Sequence, residues 1–140
     1  MFDGAANTAN MANSTHPAAN YCAGLTISGY SDWYLPARYE LEIAFFNLKS
    51  NTYANDTNYG TNPYSVPPRT SNYSSNSNPS QTSVTAFQIN GTEDFRIGNH
   101  WSSTQKDNME VYCIDMRGGE EQTRIKVNSD YVRAFRKYAL

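Results

Sequence analysis

Three features of this sequence predict an α+β fold with the helices first. Apolar residues recur at helical spacing only between residues 14 and 49. From residue 84 onward the chain alternates as strands do. Gly118-Gly119 lies between two β-prone runs, a hairpin signal. Two helices followed by an antiparallel sheet built from the C-terminal half are therefore expected.

Residues 1–13 are small and polar and read as an extended lead-in. Ser14 or Thr15 can cap the first helix. Pro17 suits its first turn, where a missing N–H costs nothing. Ala18, Cys22 and Leu25 share one face, and Gly24 or Gly29 ends the helix. Asp32-Trp33-Tyr34-Leu35 is extended, because the residue before Pro36 avoids the helical region. The second helix is expected from Pro36, with Leu41, Phe45 and Leu48 as its apolar stripe, widened by Ala44. Glu40 sits near its positive end, where an acid is favourable.

Residues 51–83 are rich in Tyr, Asn, Ser and Pro and hold only two charged residues, Asp56 and Arg69. Loops this long are usually functional or disordered. Four tyrosines, Tyr53, Tyr59, Tyr64 and Tyr73, argue for order. Strands are expected over residues 83–87, 99–102, 110–117, 122–127 and 131–138. In the last, Val132, Ala134 and Arg136 face one way, and Arg133, Phe135 and Lys137 the other.

The chain has 140 residues, the size of one domain, here taken as 1–140 with an insertion at 51–83. It is 39% hydrophobic but only 17% charged, against a usual charged share of about 25%. Mean hydropathy is still −0.70, because 16 Asn and 11 Tyr stand among the polar residues. Such a mixture resembles binding loops, which gain contact area and adaptable hydrogen bonds from it. The net charge of −2 and pI near 5.6 argue against a nucleic-acid partner. No apolar run approaches the ~18 residues that membrane insertion needs. Met1-Phe2-Asp3-Gly4 lacks the basic and apolar regions of a signal peptide. The chain is thus expected to be made in the cytosol, to be a fragment, or to leave the cell inside an assembly.

Catalytic and metal chemistry find little footing. His16 and His100 are the only histidines, and no Gly-x-Ser-x-Gly elbow accompanies them. His100 is read as structural. No ligand spacing for zinc or calcium and no phosphate loop occurs, so no metal or cofactor is expected. Asn13, Asn55, Asn72 and Asn90 head glycosylation sequons, as chance allows in a chain this rich in Asn, Ser and Thr. Cys22 and Cys113 would close a long loop if they met, worth roughly 4–5 kcal/mol. Two buried, reduced thiols are the favoured alternative.

Three groups of residues together resemble a known family. They are Asn7-Thr8 with Ala18-Ala19-Asn20-Tyr21-Cys22; Gly29-Tyr30-Ser31-Asp32-Trp33-Tyr34-Leu35-Pro36 with Glu40-Leu41; and His100-Trp101-Ser102-Ser103-Thr104 with Lys126 and Val132-Arg133-Ala134-Phe135-Arg136. This set resembles the Lcl C-terminal domain family, a module of bacterial surface and phage virion proteins. The resemblance covers nearly the whole chain except residues 51–83. It implies a C-type-lectin-like fold, with two helices packed on a small twisted antiparallel sheet and long loops at one end, and, in function, an adhesin or a tail or fibre component. The calcium and sugar motifs of animal C-type lectins are missing. Trp33, Leu35, Pro36, Glu40, Leu41, Trp101, Arg133 and Arg136 are then architectural. The two tryptophans would fill the core, Pro36 and Glu40 start the second helix, and the arginines pair with carboxylates or cover apolar surface.

The expected function is a non-enzymatic binding module on a virion, or on a bacterial surface within a longer chain. It would touch a host-surface glycan or protein through Tyr53, Asn55, Asn58, Tyr59, Tyr64, Asn72 and Tyr73, with Asn62 adding a further amide. The alternative is a decoration or connector protein whose loops bind other virion subunits, as part of a homo-oligomer or larger assembly. Formylglycine-generating enzymes share the broad fold, but they need neighbouring reactive cysteines and a different motif, so an enzyme ranks last.

Overall fold

The computed structural model describes residues 3–138, which form three α-helices and a three-stranded antiparallel sheet. Helix α1 spans Gly4–Met11, α2 Pro17–Ala23 and α3 Arg38–Leu48. The strands are β1 (Asn99–Gln105), β2 (Glu110–Asp115) and β3 (Glu120–Ile125), side by side in that order. The α+β class and the Gly118-Gly119 hairpin agree with the sequence reading.

Helix α1 replaces the expected extended lead-in, of which Met1 and Phe2 lie outside the described residues. Asp3 caps it by accepting from the Ala6 N–H at 3.1 Å. Tertiary bonds then hold it. The Gly4 N–H donates to Glu40 Oε2 at 3.0 Å, and a Cβ on Gly4 would lie 2.4 Å from that oxygen. Thr8 Oγ1 accepts from the Leu35 N–H at 2.9 Å and donates to the Leu35 carbonyl at 3.3 Å.

Helix α2 has Pro17 in its first turn and Gly24 at its end, as expected. Neither Ser14 nor Thr15 caps it: His16 holds that position with no side-chain bond to the helix. The Thr15 N–H and hydroxyl are instead taken by Asn13. Helix α3 begins at Arg38, not Pro36, and Glu40 reaches back to the Ala37 N–H at 2.8 Å. Its stripe of Leu41, Ala44 and Phe45 is buried, with Leu48 partly covered.

The sheet divides two apolar clusters. Strand alternation sends Ile114 of β2 toward Leu41, Phe45, Tyr73 and Phe95. It sends Trp101 of β1 and Cys113 of β2 toward Ala19, Cys22 and Leu35. Both cysteines are free and buried in this second cluster. Register is Trp101↔Cys113, then Gln105↔Val111, so β1 bulges between them.

Two expected strands are absent. Residues 83–87 contain a 3-10 turn at Thr85–Phe87, fixed by Glu93 N–H donating to the Ala86 carbonyl at 2.8 Å. Residues 131–138 touch the fold at isolated bridges, Tyr131 to His100 and Phe135 to Tyr34, because the segment crosses from β1 to the piece before α3. Its alternation survives: Val132 and Ala134 pack on the second cluster and Phe135 on the first.

Trp33 is half-buried and is not a core filler; its indole N–H donates to the Tyr30 carbonyl at 2.9 Å. Tyr34 takes the inward position, with its hydroxyl on Glu40 at 3.2 Å. Trp101 is 8% exposed. Arg133 pairs with Glu93, and Arg136 pairs with Asp32 while lying 3.6 Å from the Tyr30 ring centroid.

Candidate functional site

The motif around Trp101 works as a joint. Beyond Trp101 the bulge turns the Ser103 N–H to the Pro36 carbonyl at 2.8 Å. Thr104 Oγ1 accepts from the Arg38 N–H at 3.1 Å, and Asn7 donates to Ser103 Oγ at 3.1 Å. The motif therefore fastens α1 and the start of α3 to the sheet.

The same joint leaves space. Between α2 and the sheet lies a cavity of about 340 Å³, within the range of small-ligand sites. Trp101 and Leu35 line it, Ala18 borders it from α2, and Val111 and Val132 line it as well. Polar side chains also border it, among them Lys126, Asn128 and Asp130. Asp130 is paired with Arg124 at 3.1 Å, and Lys126 Nζ donates to the Asn108 carbonyl at 3.0 Å. A second cavity, about 260 Å³, adds Asn7, Asn10 and Thr104. Both are bordered by Met11, Ser103 and Gln105, so the two cavities adjoin; together they are called the trough, with an apolar end and a polar end. The sequence carried a faint sign of it: Ala18 and Ala19, small residues on the face of α2 that meets a tryptophan.

Residues 51–83 lie outside both cavities. Tyr73, expected to offer a stacking face, is 4% exposed in the first cluster, and its hydroxyl donates to Glu42. Burial and the Glu42 carboxylate push that phenol well above its ordinary range. Asn55 is buried as well; it accepts from Lys49 Nζ at 2.6 Å and donates to the carbonyls of Ser74 and Pro79, each at 2.8 Å. Both are corrected from ligand contacts to internal supports, because the Glu42 carboxylate takes the Tyr73 hydroxyl and backbone carbonyls take the Asn55 amide. Asn62 is fully buried too, between the Tyr39 carbonyl and Glu42. Tyr59 is half-buried against the first cluster. Only Tyr53, Asn58, Tyr64 and Asn72 of the expected set are exposed. Tyr53 lies under Arg117 at 4.8 Å, and Tyr64 packs 5.0 Å from Tyr39. The seven residues therefore do not all lie at the surface.

Burial moves several titratable groups away from their ordinary ranges. His100 lies between Phe95 and Tyr131, with ring centroids 5.7 and 5.3 Å away, and Nδ1–H donates to the Gly98 carbonyl at 3.1 Å. Burial lowers its pKa to about 4, so the ring is neutral near pH 7. Burial pushes the Cys22 and Cys113 thiols up to about 12, far from a reactive thiolate. Lys49, 3% exposed, has its pKa lowered by burial and bonds only to neutral oxygens. Among the described residues no group of three or more His, Cys, Asp or Glu could hold a metal ion, and no helix is long and apolar enough to cross a membrane. No protein-family model matches the chain, and no curated protein matches it.

Proposed function

We propose that this chain is a C-type-lectin-like recognition module of the Lcl C-terminal kind, carried on a phage virion or bacterial surface, and that its trough over Trp101 takes a host-surface glycan. The observation that carries this reading is the adjacency of the two cavities, which sets an apolar floor beside neutral amides and hydroxyls. A sugar ring has the matching form, an apolar C–H face and a belt of hydroxyls. The side chains of Asn10, Asn128 and Ser129 make no hydrogen bond to other described residues, so they have bonds to offer. Family identity is supported by helices that precede the sheet and by motif residues used as joints between α1, α3 and β1.

A glycan array, followed by calorimetry on a sugar that binds, tests the proposal. Ala18→Phe fills the trough from α2 and is expected to weaken binding about tenfold or more with the fold unchanged. Tyr53→Ala and Tyr64→Ala are expected to bind as the parent does. Loss only in the tyrosine variants moves the site to residues 51–83. An array with no binder overturns the glycan reading.

A virion connector is the second reading. It is favoured by Val66, 98% exposed on a hook closed by the Asn62–Arg69 bridge. Val66→Asp would then abolish attachment to the assembled particle and leave glycan binding intact.

A further inference from the structure

The sheet is open at β3. The Lys126 N–H donates to the Met109 carbonyl at 3.0 Å, and the register continues through Arg124↔Val111 and Gln122↔Cys113. In an antiparallel ladder the bonded residues alternate, so 120, 122 and 124 turn their backbone groups toward β2. Glu121, Thr123 and Ile125 turn theirs outward. Apart from the Ile125 carbonyl, which accepts from the Asn128 N–H at 3.0 Å, no described residue pairs with these outward groups. Such a row is a template for another strand.

Charge along this edge is segregated by sign. Glu120 and Glu121 open β3, while Arg124 and Lys126 lie at its far end. Charged side chains normally discourage edge pairing. Here an antiparallel copy of the same strand sets acids against bases at both ends, and a parallel copy would set like against like. Neither Glu120 nor Lys126 has an ion-pair partner among the described residues; they bond to Gln122 and to the Asn108 carbonyl. Ile125, Val127 and Met109 are exposed apolar residues beside the same edge.

We propose that β3 pairs antiparallel with β3 of a second copy, about a two-fold axis at Thr123, making one continuous sheet of the two. In this register Thr123 faces Thr123 of the partner subunit, and Glu121 exchanges backbone bonds with Ile125 of the partner subunit. Glu120 faces Lys126 of the partner subunit, and Gln122 faces Arg124 of the partner subunit. Every outward N–H then meets a carbonyl, that of Ile125 being shared with the Asn128 N–H of its own chain, and the contact closes on itself as a dimer. Lys126 also borders the trough, so Glu120 of the partner subunit reaches the trough's rim.

Sedimentation velocity of the full chain across a concentration series tests the pairing. A dimer is expected, and it should weaken as salt rises. Thr123→Pro removes an outward N–H without touching the β2 ladder. It is expected to raise the dimer dissociation constant about tenfold or more, with an unchanged circular dichroism spectrum. Glu120→Lys should weaken the dimer, and adding Lys126→Glu to it should restore association. The double variant decides the matter if the proline variant fails to fold. A monomer at every concentration overturns the proposal. So does a dimer indifferent to a folded Thr123→Pro, or a double variant that stays as weak as the single one.

Discussion

Residues 49–83 and the sheet face beneath α2 spend similar side chains to opposite ends. In the first region the helices and strands are absent, and side chains do their work. Asn51 donates to the Met116 carbonyl, Ser50 to the Phe95 carbonyl, and Asn55 to Ser74 and Pro79. Glu42 gathers Arg69, Tyr73 and Asn62 beneath them. Buried backbone groups need partners, and a long irregular segment obtains them from Asn and Ser. Under α2 the backbone is already satisfied by helix and strand. There the side chains of Asn128 and Ser129 bond to no described residue around the cavity lined by Trp101, and that of Asn10 to none at the adjoining cavity. A composition suited to recognition can thus be consumed inside the fold, and capacity for a ligand lies where regular structure frees the polar side chains.

One substitution beneath the first region and one within the second should have the largest effect. Glu42→Ala leaves the Arg69 guanidinium, Tyr73 and Asn62 without their shared acceptor, at a cost of about 3–5 kcal/mol. Trp101→Ala should cost about 3–5 kcal/mol by emptying the second cluster. Half-buried Trp33 should cost clearly less when changed to Ala. Urea denaturation of the three variants ranks them, and an unperturbed Glu42→Ala would show that the polar network is idle.

The strand between the two regions should report on pH. His100 has a folded pKa lowered by burial to about 4, against 6.5 in the unfolded chain. The unfolded state binds the proton more readily, so the stabilisation is fully present above pH 6.5 and lost as pH falls toward 4. The fall should reach up to about 3 kcal/mol. His100→Phe should flatten the melting temperature over that window, and an equal slope in parent and variant would assign it to other groups.

The sequence reading fared best where periodicity is strong. Leu41, Ala44 and Phe45 mark α3, and Gly118-Gly119 marks the hairpin. It failed where tertiary contacts decide. Helix α1 is diluted by Asn7, Thr8 and Asn10, two of which serve other elements through Ser103 and Leu35. Residues 83–87 are β-prone, but no strand lies alongside them. Tyr73 and Asn55 look like surface residues by type, and only the fold shows that the Glu42 carboxylate claims one and backbone carbonyls the other. The trough was hidden because it is an absence of volume, set by small residues on α2.

A smaller effect separates packing from chemistry in the second cluster. Cys22 and Cys113, with thiols pushed up to about 12 by burial, should react with a thiol reagent only once denaturant is added. Cys22→Ala should then cost about 1 kcal/mol, as for a small hydrophobe. Rapid labelling of the native protein would place either thiol in contact with solvent.

Native-state hydrogen exchange tests most directly whether residues 49–83 belong to the core. The amides of Asn62, Tyr73 and Thr82 donate to Arg69, Tyr59 and Lys49 at 2.9, 2.7 and 2.9 Å. They should exchange only through global unfolding, with protection close to that of Cys113 in the middle of β2. Exchange of those three amides at the rate of an unstructured peptide, beside a protected Cys113, would make the segment a loose cover and return it to the candidate binding surface.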